Sequence, residues 1–254
     1  MRRLAAALGG LLFAAALRAD PEIMVHQGDL AEPGEVVATL HANHVLSGRR
    51  RSDDGTWPAH GLSNLMAEFA TGVAPGWEVG VHLPAMRAGV DAPNVRRGDW
   101  GWSAVMFRVK RIARGSDGWY WGFNAEYDIN ASRYVAERRS VEFRGIAGYD
   151  GETWRLAVNP HLIAGWGGGA AGGGPDFNVD FKLLRKVAAG VAWGAEFYTD
   201  WGRLADLQPG HGDRTLYLVG EFDGALGGLH VGIGRGFQQT PERLLVKAVW
   251  STAF

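Results

Sequence analysis

WYWGFNAEYDI, residues 119–129, is the stretch whose reading decides the fold. Trp119, Trp121, Phe123, Ala125, Tyr127 and Ile129 recur at every second position, with Tyr120, Gly122, Asn124, Glu126 and Asp128 between them. A period of two sends successive side chains to opposite faces of a strand, so one face is large and apolar and the other polar. About 9–11 residues of tilted strand cross a bilayer, which is the length of this segment. The expectation is a strand with one face in lipid.

The same pattern recurs on both sides of it. Trp154, Leu156, Val158 and Leu162 oppose Arg155, Asn159 and His161; Phe177, Val179, Phe181 and Leu183 oppose Asn178, Asp180 and Lys182. Val191, Trp193, Ala195 and Phe197 oppose Gly194, Glu196, Tyr198 and Asp200. Further candidates are 35–46, 64–73, 77–86, 100–113, 137–149, 213–222, 229–237 and 243–254, of which 35–46 and 100–113 are the least regular. Short turns at 74–76, 115–118, 150–152, 188–190 and 223–228 alternate with longer links at 47–63, 87–99, 130–136, 165–175, 201–212 and 238–242. Such alternation marks outer-membrane barrels, whose periplasmic turns are the short ones. The predicted fold is therefore all-β, an antiparallel transmembrane β-barrel of about twelve strands spanning 35–254, with both ends periplasmic. The rival is a soluble sandwich or lipocalin-like barrel, in which the apolar face would turn inward. Trp77, Trp100, Trp102, Trp119, Tyr149, Trp154, Trp201 and Trp250 gather near strand ends, as interfacial girdles do, and favour the membrane.

The flanks agree. Arg2 and Arg3, an uncharged run Leu4 to Leu17, and Ala19 have the layout of a secretory signal, predicted to be cleaved after residue 19. Residues 20–34 are then a short periplasmic segment. The last strand alternates through Leu244, Val246, Ala248, Trp250, Thr252 and Phe254; Trp250 and the terminal Phe254 resemble the signal that the barrel-assembly machinery reads. The chain has 254 residues and no Cys, which excludes disulfides and a lipoprotein anchor. The signal holds three of the 26 Lys+Arg and none of the 27 Asp+Glu, so the remainder carries −4, which gives nucleic acid no role as a partner. A mean hydropathy of −0.11 does not describe a helical membrane protein.

With the apolar face in lipid, the other face lines the lumen. It carries Glu68, Glu78, Glu126, Asp128, Glu142, Asp180, Glu196, Asp200 and Glu221 against Arg108, Lys110, Arg144, Arg155, Lys182 and Lys247. These charges are expected either to hold the barrel as ion pairs or to form a polar eyelet for small solutes. No catalytic motif, cofactor motif or metal motif appears. His41 and His44 form H-x-x-H, but a spacing of three puts them on opposite faces of a strand, so they make no zinc pair. Ser140, His161 and Asp180 share the inward parity, the least favoured reading being a membrane-embedded hydrolase. Arg49, Arg50 and Arg51 lie in the first long loop, solvated or against lipopolysaccharide phosphates.

The stretches EFATGVAPGWEVGVHLP (68–84), WYWGFNAEYDI (119–129), LAVNPHL (156–162) and TLYLVGEF (215–222) resemble an uncharacterised proteobacterial group of porin-like outer-membrane barrels, loosely grouped with barrel proteins of phenol-degradation pathways. The resemblance implies a barrel in the bacterial outer membrane and, more weakly, transport. The expected function is a passive channel for small polar or aromatic solutes. A non-conducting structural or adhesive barrel is the alternative. The expected partners are outer-membrane lipid, lipopolysaccharide, the assembly machinery and small solutes.

Overall fold

The computed structural model describes residues 23–51, 58–92, 94–134, 137–168 and 174–254. The expected signal peptide, 1–19, lies outside them, as does the middle of the Gly-rich loop 165–175. The strands are β1 (Val36–Gly48), β2 (Ser63–Ala74), β3 (Trp77–Arg87), β4 (Trp100–Trp102), β5 (Ala104–Arg114), β6 (Trp119–Asn130) and β7 (Glu137–Asp150). They continue as β8 (Trp154–Gly168), β9 (Asp176–Ala188), β10 (Val191–Arg203), β11 (Arg214–Gly224), β12 (Gly227–Phe237) and β13 (Glu242–Ala253).

The strands pair antiparallel with their sequence neighbours, except that β4 and β5 both pair with β3, and β1 pairs with β13 from Val37↔Ala253 to Gly48↔Glu242, so the sheet closes on itself. The result is a closed 12-strand antiparallel barrel with one extra strand. Closure leaves no free edge, which is how β-structure satisfies its backbone in hydrocarbon. The extra strand arises where 100–113 was expected to run unbroken. Pro84 on β3 has no N–H to offer the ladder, and Ser103 donates its own N–H to the Pro84 carbonyl at 2.9 Å. The register then slips by one residue between Ala85↔Trp102 and His82↔Met106, separating β4 from β5. Strands β8 and β10 run further than expected, into the long loops at 165–168 and 201–203. The tight turn between β9 and β10 needs Gly190, whose φ is 68°.

The two faces separate as the alternation predicts. Phe69, Phe107, Trp121, Phe143, Phe181 and Leu218 are exposed on the outside. A continuous apolar outer surface of this kind suits lipid rather than water. Trp77 and Phe123 meet edge to face at 6.0 Å, and Phe123 stacks on Phe143 at 5.6 Å, so this surface is itself packed. The inside is less uniformly polar than expected. Val45, Leu184, Tyr217, Val219 and Leu245 point inward and form an apolar cluster with Leu62, Met86 and Tyr134.

The interior is also occupied by chain that precedes β1. Residues 20–34 were expected to form a short periplasmic extension. Their described part instead enters the barrel, where Val25 and His26 are buried. The reason is polar: a twelve-stranded wall encloses more space than its side chains fill, and inward Asn, Glu, Lys and Arg residues find partners on the backbone of this strap. It leaves past Gly72 on β2, where Gly34 donates to the Gly72 carbonyl at 2.9 Å. A Cβ at Gly72 would lie 2.3 Å from the Glu32 carbonyl oxygen, so only glycine lets the strap through.

Candidate functional site

The lumen is the candidate site, and its charges fall into three groups. In the first, β1, β2, β3 and β5 bring His41, Glu68, Glu78, His82 and Arg108 together. The Arg108 guanidinium bridges Glu68 and Glu78, the latter at 2.6 Å, and His41 Nε2 lies 3.2 Å from Glu68. Arg108 stands opposite Glu126 in register, yet these ion pairs reach across β3 to β2. Lys110, beside them, donates to the strap carbonyl of Asp29 at 2.8 Å.

The second group lies on β6 to β9. Arg144 pairs with Glu142 at 2.6 Å and with Asp180 at 3.3 Å, and His161 Nε2 lies 3.2 Å from Asp180. Glu126 accepts from Asn124 at 2.5 Å, and Asp128 accepts from the Ser140 hydroxyl at 2.5 Å. That last bond disposes of the imagined triad. Ser140 sits opposite Gly165, four residues along β8 from His161, which is roughly 13 Å of strand. Its hydroxyl is engaged with Asp128, so a nucleophile and base are not assembled.

The third group spans β7 to β13. Lys182 bridges Glu196 at 3.0 Å and Glu221 at 2.8 Å; Arg155 joins Glu221 at 2.6 Å and Asp150 at 3.4 Å. Lys247 pairs with Glu196, and the Tyr198 hydroxyl donates to Glu196 at 2.7 Å. His230 lies 3.3 Å from Glu221. The remaining candidate, Asp200, is at the loop end, where it accepts the Gly202 N–H at 2.7 Å instead of facing a lumen cation.

The strap ties these groups together. Asn159 holds His26 twice, accepting its N–H at 2.6 Å and donating to its carbonyl at 3.1 Å. Glu78 accepts the Ala31 N–H at 2.7 Å, Arg114 donates to Gly28 at 2.6 Å and Lys247 to Ile23 at 2.9 Å. Gln27 reaches Glu221 at 3.1 Å. Arg144, Tyr120, Tyr217, His41, His82 and Glu196 are among the side chains the packing buries completely. The charged residues that parity assigned to the polar face, Asp200 apart, are among those these ion pairs and hydrogen bonds join. Parity placed Tyr120 and Tyr198 on the polar face but missed His82, His230, Tyr217 and the strap; inward parity on strands with buried carboxylates was the available signal for the histidines. His41 and His44 do face opposite ways, His41 to Glu68 and His44 to Ser63 at 2.9 Å. Among the described residues no cluster of His, Asp and Glu is arranged to hold a metal ion.

No family model matches this chain, and no curated protein sequence matches it. Solved structures do. The chain is similar to an outer-membrane channel of Pseudomonas putida F1, with a TM-score of 0.67 at 11% identity, over 92% of this chain and 100% of that one. It is also similar to the KdgM porin, with a TM-score of 0.54 at 6% identity, over 86% and 99% of the two chains. The KdgM porin in complex with disordered oligogalacturonate gives a TM-score of 0.53 at 6% identity, over 86% and 98%. At such identities these likenesses establish the porin-like barrel fold.

Proposed function

We propose that the protein is a narrow passive channel of the bacterial outer membrane for small polar solutes, with residues 23–31 as its internal constriction. The observation that carries this reading is the way the interior is filled. A backbone segment lies among the wall side chains, held mostly by side-chain hydrogen bonds to main-chain groups. A barrel that served only as a structural shell would gain nothing from enclosing a separate segment among paired charges. The fold shared with channel and porin structures supports the reading, as does the resemblance to porin-like barrels; aromatic solutes stay within it because Tyr120, Tyr198 and Tyr217 face inward. The wall contributes eight carboxylates against six cations from the residues expected there, which favours cations modestly over anions.

Planar-bilayer conductance of the refolded mature chain tests this. The expected result is small discrete steps for the full chain and steps several-fold larger after deletion of 23–31. Silence from both proteins would refute the channel and favour a non-conducting barrel.

A further inference from the structure

A second polar site lies outside the lumen, on the lipid-facing wall at the long-loop end, and is independent of the channel reading. His44, Ser63, Arg87 and Trp100 are successive register partners across β1, β2, β3 and β4. Their neighbours Asn43, Asn64 and Met86 are buried inward, so this row points outward. The next row toward the membrane centre is Ala42, Leu65, Ala85 and Trp102, which is apolar. Trp100 and Trp102 are exposed, as an interfacial aromatic belt requires. The first row therefore sits at headgroup level.

Two loops fold over it. Gly61 and Gly89 cross backbone to backbone, and a Cβ on Gly89 would lie 2.1 Å from the Gly61 carbonyl carbon. This crossing places Arg50 and His60 from one loop and Arg97 from the other above His44 and Arg87. Together they line a cleft of about 390 Å³, roughly a dozen water volumes. Among the described residues its walls hold three guanidinium groups and two imidazoles and no carboxylate. The described acids of these loops are engaged: Asp91 accepts the Arg97 N–H at 2.8 Å, and Asp99 pairs with Arg133. Like charges crowded into one cleft repel, and an oxyanion offsets that repulsion while matching the planar fork of Arg.

We propose that this cleft binds the phosphate of an outer-leaflet glycolipid. The chemistry selects a phosphate, and the position selects a lipid-borne one: His44 and Arg87, two of the lining residues, belong to the outward row that ends at the exposed Trp100. Long loops lie on the outer side of such barrels, which sets the leaflet.

The test uses the mature barrel in detergent micelles, titrated separately with bisphosphorylated lipid A, dephosphorylated lipid A and inorganic phosphate, and read by native mass spectrometry. The expected result is one bisphosphorylated lipid A per barrel, bound at least tenfold tighter than the dephosphorylated form. Arg87→Gln with Arg97→Gln should weaken it at least tenfold. Arg138→Gln with Arg139→Gln, exposed at the end of β7, should leave it unchanged. Heat-modifiable gel migration verifies that each variant is folded, and Arg50→Gln with Arg97→Gln, both in loops, replaces the first pair if it is not. Undiminished lipid A binding by the cleft variant, or equal binding of the dephosphorylated form, overturns the proposal. Inorganic phosphate binding as tightly as lipid A would make the cleft a free-anion site and overturn the lipid assignment.

Discussion

Glu196 is fully buried, yet four groups from three other positions on the wall and one on its own strand converge on it: Lys182, Lys247, His230 and the Tyr198 hydroxyl. A charge removed from water persists only when its partners replace hydration, and removing one partner from a buried pair costs about 3 kcal/mol or more. Lys247→Met should therefore destabilise the barrel by about 3 kcal/mol, since it also deprives the Ile23 carbonyl of its donor. Adding Glu196→Gln should recover part of that loss, because groups in one network are non-additive. Urea unfolding in micelles checks the cycle; strictly additive losses would show that the two residues are uncoupled. Residue identity on the lumen face was legible from parity alone, since Glu196, Lys182 and Lys247 each fall on the polar side of an alternating strand. Partnership was not. It depends on lateral reach around the barrel, so Arg108 meets Glu68 two strands away, and histidines scattered along the chain become neighbours inside it. Asn124 illustrates the same limit: parity places it on the polar face and says nothing of its packing, whereas it is completely buried beside Glu126.

The strands were legible as elements because antiparallel hairpins are encoded locally, by period-two alternation and turn residues. Segment 100–113 read as irregular for a reason that lies on its neighbour, where Pro84 interrupts the ladder. The strap escaped the reading for a different reason. Its bonds run from wall side chains to its backbone, and backbone groups leave no mark on a side-chain pattern. Gly72 is where the strap is vulnerable. Any side chain there would meet main-chain oxygens of Ala31 and Glu32 at 2.4 and 2.3 Å, and main chain cannot swing aside as a flexible side-chain tip does. Gly72→Leu should leave the barrel closed, because the position lies near the end of the β2–β3 hairpin, while dislodging the strap. The expected outcome is a conductance approaching that of the 23–31 deletion. Steps identical to those of the unaltered protein would show that the strap is not held at this crossing.

Closure is a pairing that local sequence does not encode, because β1 and β13 lie at opposite ends of the barrel sequence. Hairpins can form as each turn brings its strands together, but the seam closes the longest loop, where the entropic cost of closure is greatest. The C-terminal residue takes part in it directly: the Phe254 N–H donates to the Val36 carbonyl at 2.9 Å, and the Phe254 carbonyl accepts from Val36 at 3.4 Å. Its side chain is exposed on the outside, as is Trp250 on the same face. Phe254 thus ends the strand that closes the barrel while presenting an apolar side chain outward, which is what an assembly factor docking at the seam would require. Residues 169–173 lie outside the described residues. Deleting Phe254 should therefore reduce insertion into the outer membrane far more than deleting 169–173, measured as the heat-modifiable fraction in isolated membranes. A Phe254→Trp variant separates the two roles of the residue, since it keeps both seam hydrogen bonds and changes only the aromatic group. Near-normal insertion of that variant alongside failure of the deletion would assign the effect to a terminal aromatic residue paired at the seam. Equal tolerance of both deletions would remove Phe254 from assembly altogether, leaving the seam to depend on the internal β1–β13 pairs.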